Sequence, residues 1–226
     1  MAFRLRCAAA GGLGVALIAF AGCASGGADA GERNDAQRYL RLGRMQLEQA
    51  KTMQAIESLQ KAIDLDPKLV EAYNLLGLVY LTNSEIDKAI GEFEEAVRVD
   101  PYFTDARNNL GIALRQDRQY DRAAEQFQAA LKDGNYRSPE KIHLNVGYLY
   151  LDQGRHREAI DAFRRALEID GEYLIALIGL GRAYAGAGRP DLAEEALAKV
   201  VLIAPDSPEA ARARRMIAGQ AGQDEQ

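Results

Sequence analysis

The stretch from residue 70 to residue 101, VEAYNLLGLVYLTNSEIDKAIGEFEEAVRVDP, decides the fold. Its first half carries Leu76-Gly77; twelve residues after that glycine comes Ala89, four further on Phe93, and three beyond that Ala96, before Asp100-Pro101 ends the run. Steps of three and four residues return to one face of an α-helix, so Ala89, Phe93 and Ala96 form a single stripe. Glycine and alanine mark where two helices approach closely, the large side chain fills the space that remains, and proline stops the second helix because its ring clashes with the preceding turn. The stretch therefore reads as a pair of packed helices.

The same offsets recur on both sides. Leu42-Gly43, Leu76-Gly77, Leu110-Gly111, Val146-Gly147 and Leu180-Gly181 set the glycines 34, 34, 36 and 34 residues apart. Each glycine is followed by Ala55, Ala89, Ala123, Ala159 or Ala193, then by Leu59, Phe93, Phe127, Phe163 or Leu197, then by Ala62, Ala96, Ala130, Ala166 or Val200. Pro67, Pro101 and Pro205 close their units. This pattern resembles the tetratricopeptide repeat, TPR. The resemblance covers residues 36–207 and implies an all-α fold, a right-handed TPR superhelical solenoid with a concave face. Five helix-turn-helix repeats are expected at 36–69, 70–103, 104–139, 140–173 and 174–207. One unit cannot bury its apolar stripe alone, whereas stacked units share a continuous core.

Two units depart from the pattern. The first has Gln46 where an aromatic residue or Leu is usual, which suits a terminal repeat with one side partly solvated. The fourth ends in Asp170-Gly171-Glu172, which predicts a turn made by glycine. Beyond the fifth, Ser207 as N-cap and Pro208 at the first helical position start a short basic capping helix over 208–218, with a disordered tail at 219–226. Richness in Ala, Leu, Glu, Gln and Arg, without Trp, agrees with helix nearly throughout.

The N-terminus carries an address. Arg4 and Arg6 precede an apolar run from Cys7 to Ala21, the layout of a secretory signal over residues 1–22. That run is too short for the roughly 20 residues a bilayer-spanning helix needs. Its end, Phe20-Ala21-Gly22-Cys23, resembles the bacterial lipobox, with Phe20 where Leu is more usual. The resemblance implies covalent lipid on Cys23, the only cofactor-like group expected. Acylation would anchor the chain through buried methylenes at roughly 0.8 kcal/mol each. Ala24, where an Asp would retain a lipoprotein in the inner membrane, points to the outer membrane, facing the periplasm. Residues 23–35, small and polar after Cys23, read as the lipidated start and a flexible tether.

Charge and chemistry narrow the function by exclusion. The net charge is -5; without Arg4 and Arg6, 26 basic side chains face 33 acids, which disfavours nucleic acid as a ligand. Cys7 and Cys23 are the only cysteines, so the repeats hold no disulfide, thiolate zinc site or cysteine nucleophile. His143 falls at an inward aromatic-type position and reads as packed core; His156 lies in the turn Gly154-Arg155-His156-Arg157 and reads as solvated loop. Glu92, Glu94 and Glu95 belong to a second helix and its outer face. Gly179-Leu180-Gly181 follows no strand, so it is no phosphate loop. Nothing pairs a nucleophile with a base, and the chain is expected not to be an enzyme, to hold no metal and to take no small-molecule substrate.

First helices of such repeats line the inner groove, and helical period selects the residues that face it. These are Asn74, Leu78 and Leu81 in the second unit, Asn108, Asn109, Ile112 and Arg115 in the third, Leu144, Asn145, Tyr148 and Leu151 in the fourth, and Ile175, Ile178 and Arg182 in the fifth. A mostly apolar groove with a few amides suits an amphipathic helix or an extended peptide, whose backbone the asparagines can hydrogen-bond. The Lys, Asn and Arg set with which chaperone-binding relatives clamp a C-terminal carboxylate is not reproduced.

The unit from Gly111 to Gly147 is 36 residues, two longer than the others, with the extra pair in Asn135-Tyr136-Arg137-Ser138-Pro139-Glu140, and it opens on Asn108-Asn109. With the lipobox, these features resemble the PilF/Tgl family of type IV pilus pilotins. That resemblance implies an outer-membrane lipoprotein that binds secretin subunits through its groove and promotes their localisation and multimer assembly. Five repeats plus a cap depart from the six usual in that family. The alternative is a general envelope adaptor that recruits a periplasmic protease or cell-wall enzyme to its substrate.

Overall fold

A computed structural model describes residues 30–224. Its helices are α1 (Ala30–Glu48), α2 (Thr52–Leu65), α3 (Val70–Thr82), α4 (Ile86–Val99), α5 (Thr104–Gln116), α6 (Tyr120–Ala130), α7 (Pro139–Asp152), α8 (His156–Ile169), α9 (Leu174–Gly186), α10 (Pro190–Ile203) and α11 (Pro208–Asp224). Among the described residues there is no strand. Consecutive helices pair from α1/α2 to α9/α10, and α11 packs on α9 and α10. The first helices also touch across repeats, α3 on α5, α5 on α7 and α7 on α9, which sets them side by side along the inner face.

Each pair closes on one seam. A Cβ added at Gly77, Gly111 or Gly147 would lie 2.6, 2.5 or 2.5 Å from Cε1 of Phe93, Phe127 or Phe163 of the same repeat, a separation real Cβ atoms do not show. In the outer repeats the smaller Leu59 and Leu197 fill the place, with 2.9 Å at Gly43 and 2.8 Å at Gly181. All five large residues are fully buried. Each such burial stabilises by about 1.5–3 kcal/mol. Gly179 also meets Phe163, so that ring fills the space between repeats as well as within one.

Turns follow two rules. Seven residues after each seam glycine the backbone turns left-handed, at Ala50 (φ 55), Ser84 (φ 62), Arg118 (φ 61), Gly154 (φ 70) and Gly188 (φ 69). Between repeats, an aspartate carboxylate accepts the N–H two residues on: Asp66 from Lys68 (3.1 Å), Asp100 from Tyr102 (2.9 Å), Asp133 from Asn135 (3.0 Å) and Asp170 from Glu172 (3.1 Å). This corrects the expectation at Gly171, whose φ is not in the left-handed region. Aspartate makes that turn by mimicking a backbone acceptor, so the residue after it can be Pro or Gly.

Both ends are longer than the sequence reading. Helix α1 begins at Ala30, so residues 30–35, expected in the tether, are helical although the first buried residue is Ala36. Arg38 pairs with Asp35 at 2.8 Å one turn away, the kind of local contact that extends a helix past its packed part. At the other end α11 runs to Asp224 instead of 218, because a lone glycine such as Gly219 weakens a helix without stopping it. Its start is as read: Ala210 N–H donates to Ser207 Oγ at 3.0 Å. Signal residues 1–22, Cys23, tether residues 24–29 and the last two residues lie outside the described residues. At Gln46 the polar departure is satisfied within the first repeat, where buried Ser58 Oγ donates to Gln46 Oε1 at 2.7 Å.

The two-residue insertion shortens α6, which stops at Ala130, and leaves residues 131–138 as connection. Thr104 Oγ1 donates to Asp133 Oδ2 at 2.6 Å and Tyr136 Oη to Asp105 Oδ1 at 2.7 Å, so the longer turn is fastened to the start of α5. The Thr104 bond holds the Asp133 carboxyl below its ordinary range, with help from the Asn135 N–H. On the far side a cleft of about 300 Å³ opens between α6, α7 and α8, lined by Gln128, Leu131, His143, Glu158 and Arg165 among others.

Candidate partner-binding face

The inner face divides into three zones. Near the N-terminus Arg44, Leu47 and Glu48 of α1, Glu71, Asn74 and Leu78 of α3, and Asp105 of α5 surround a depression of about 530 Å³. In the middle the asparagines form a ladder from repeat to repeat: Asn109 Nδ2 donates to Asn74 Oδ1 at 2.9 Å, and Asn145 Nδ2 donates to Asn108 Oδ1 at 2.8 Å. Their amides are thus half engaged with one another across repeats. Asn74 Nδ2 and Asn109 Oδ1 remain for a ligand.

Towards the C-terminus the face becomes basic and aromatic. Tyr148 stands edge-on to Phe163, with ring centroids 5.3 Å apart and planes at 79°. The Arg115 and Arg182 guanidiniums lie 5.8 and 6.0 Å from the Tyr148 ring centroid, within the range of cation–π attraction. Arg115 Nη1 also donates to Asp152 Oδ2 at 2.5 Å, while its buried Nε has no hydrogen-bond partner. Burial pushes the Tyr148 phenol up, and the positive charges of Arg182, Arg212 and Arg115 oppose it.

Of the residues assigned to the groove, Leu78, Leu81, Ile112 and Leu151 are half-buried and Ile175 is 40% exposed. Asn108 and Leu144 are buried, and Ile178 is only 1% exposed. Ile178 packs on Leu197, Val200 and Ala213, so the capping helix covers it and it faces no ligand. Leu144 likewise joins the core of the fourth and fifth repeats. Sequence reasoning misses Arg212, because a capping helix is expected only to cover the last repeat. The signal is present: Arg212 follows Ile178 by 34 residues and so occupies the same register of the next first helix. Arg44, Glu71 and Asp105 are missed as well.

The remaining groups sit away from this face. His156 is not a solvated loop residue; it begins α8, and its Cε1 would lie 2.5 Å from a Cβ added at Gly186, with its Nδ1 buried and unpartnered. The elbow it was assigned to is packed against the end of α9. His143 is half-buried in the cleft behind α7 rather than fully packed, and burial lowers its pKa. Glu94 pairs with Arg122 across repeats, Glu95 pairs with Arg98 at 2.6 Å, and burial followed by Glu95 raises the pKa of half-buried Glu92. Among the described residues no three His, Cys, Asp or Glu side chains group as a metal site, and no helix is long and apolar enough to cross a membrane.

A stack of helix pairs, closed by Gly–Phe seams and open along the face of its first helices, defines an α-helical repeat solenoid. The chain belongs to the tetratricopeptide-repeat proteins: family models described as TPR repeat and tetratricopeptide repeat match residues 43–84, 80–140, 108–173 and 150–217. No curated protein sequence matches it significantly. Among solved structures it is similar to PilW, described as a widely conserved type IV pilus biogenesis factor, with TM-score 0.77 and 23% identity over 83% of this chain and 86% of that one. It is similar to Pseudomonas aeruginosa pilF, with TM-score 0.66 and 22% identity over 87% and 100%. It is also similar to YrrB, described as a TPR protein with an unusual peptide-binding site, with TM-score 0.62 and 25% identity over 82% and 94%.

Proposed function

We propose that the protein is a type IV pilus pilotin, an outer-membrane lipoprotein anchored through Cys23 and facing the periplasm. Its inner face binds secretin subunits and promotes their localisation and assembly into multimers. The observation that carries this reading is the likeness to PilW over most of both chains, in a chain whose start resembles a lipobox. The physical division of labour is simple. Lipid supplies the membrane address, and the repeats hold a secretin segment without reacting with it. The likeness to YrrB, described as peptide-binding, favours a second reading in which the same face serves a general envelope adaptor for a protease or cell-wall enzyme.

Deletion of the gene is expected to remove heat-resistant secretin multimers from the outer-membrane fraction. Complementation with the wild-type chain restores them; a triple variant Leu78→Glu, Ile112→Glu, Tyr148→Glu does not. Normal multimers in the deletion strain would sink the pilotin reading and leave the adaptor.

A further inference from the structure

The inner face is electrically polarised along its length. At the N-terminal end Glu48, Glu71 and Asp105 outnumber Arg44 around one depression. At the other end Arg115 and Arg182 lie against the Tyr148 ring, and Arg212, which follows Ile178 by one 34-residue repeat, adds its positive charge there; of the three only Arg115 has a carboxylate partner, Asp152, among the described residues. The same side chains are unlike in accessibility. Arg115 is 19% exposed in its side chain and held by Asp152, whereas Arg182 and Arg212 are exposed.

Two exposed guanidiniums without a counter-ion beside a third repel one another, a modest cost that salt screens. A ligand carboxylate relieves it. Guanidinium suits that task because its planar fork meets a carboxylate with two parallel hydrogen bonds. The Tyr148 ring, half-buried Leu151 one turn further along α7 and exposed Ile175 at the start of α9 supply apolar surface, so the zone fits a segment that carries both acidic and aliphatic side chains. Three arginines against one aspartate can take more than one ligand carboxylate.

We propose that this end of the inner face is an acidic-peptide subsite: Arg115, Arg182 and Arg212 around Tyr148 receive Asp or Glu side chains of the bound segment, whose aliphatic side chains lie on Leu151 and Ile175. The opposite charge around Glu71 and Asp105 sets the direction of the segment, with its basic part over α3 and its acidic part over α9 and α11. This names the chemistry of the segment bound in the proposed function and rests on the inner face being the binding face. Arg212 gives the capping helix a second task, since it turns the last repeat into the wall of a site.

The test uses the full chain in detergent and three fluorescein-labelled synthetic peptides with one leucine spacing and Glu, Gln or Lys at the polar positions of their C-terminal half. By fluorescence anisotropy at low ionic strength the Glu peptide is expected to bind at least about tenfold tighter than the Gln peptide, and the gap is expected to shrink as salt screens it. The double variant Arg182→Glu, Arg212→Glu should invert the order, Lys above Glu, with helical circular dichroism unchanged. Equal binding of the Glu and Gln peptides, an unchanged order in the double variant, or no binding of any peptide would overturn the subsite. Leu78→Glu with Ile112→Glu separates the two ideas: secretin capture lost in that variant but intact in the arginine variant keeps the inner face as binding face and removes the subsite. A Glu preference that survives while wild-type protein captures no secretin keeps the subsite and removes the secretin reading.

Discussion

The seam inside each helix pair and the face that the pairs leave open are built on opposite plans. At the seam the three middle repeats do the same thing: Gly77 meets Phe93, Gly111 meets Phe127, Gly147 meets Phe163, and the approach differs by only 0.1 Å among the three; the outer two put leucine in the same place. On the open face the repeats differ: equivalent positions carry Leu78, Ile112, Tyr148 and Arg182, and only the asparagines of the ladder recur from one repeat to the next. Repetition is what a stack needs in order to fold, and variation is what a surface needs in order to tell one partner from another. The two plans are independent enough to be damaged separately.

The largest separation comes from Phe127→Ala. Emptying a fully buried seam ring is expected to cost about 3–5 kcal/mol in urea unfolding, and a loss below about 1 kcal/mol would mean that the neighbouring repeats close the gap. On the open face, Leu78→Glu with Ile112→Glu should cut capture of the proposed partner more than about tenfold while costing less stability than the seam change, about 1–2 kcal/mol, since both side chains are half-buried against the core. A comparable loss of stability would show that these residues belong to the core after all. Between the two plans lies the asparagine ladder. Asn145→Ala removes the bond to Asn108, which is buried, and should cost about 1–2 kcal/mol because the Asn108 amide is left without that partner.

Smaller effects sharpen the same contrast at the elbows. Arg118 sits at φ 61, where a non-glycine residue is strained, while the equivalent places in the fourth and fifth repeats are Gly154 and Gly188. Arg118→Gly should therefore stabilise by about 0.5–1 kcal/mol, the relief of strain less the extra entropy of glycine in the unfolded chain. Unchanged or lower stability would mean that the arginine side chain compensates locally. The smallest effect concerns His143, whose pKa burial depresses, with Arg165 adding to the shift and Glu168 opposing it. As pH falls through about 6.5 the unfolded chain takes up this proton first, so stability that is full above that value declines towards the lowered folded pKa. His143→Gln should flatten this part of the urea midpoint between pH 7.5 and 5.5; an unchanged slope would assign it to carboxylates.

The seam was legible in the sequence because it is periodic, and five repetitions of one offset leave little room for error. What was not legible depends on a single neighbour. Ile178 has the register of a groove residue, yet the capping helix lies on it, and no pattern within its own repeat says so. His156 sits in a stretch rich in turn residues but is held by the bare backbone at Gly186, thirty residues away. The turn after α8 looked like glycine chemistry because Gly171 stands where proline usually does, and the aspartate before it carries the bond. Ends were misjudged for another reason: α1 runs past its packed part, where burial gives no signal.

That early start of α1 has a mechanical consequence under the proposed anchoring. From Cys23 to Ala30 there are seven peptide links. Fully extended they reach about 25 Å, less than the thickness of the bilayer they would hang from. A leash so short keeps the first repeat in a thin layer beside the membrane and turns a search through the periplasm into a search across a surface, where a newly arrived partner segment is met close to the place it must enter.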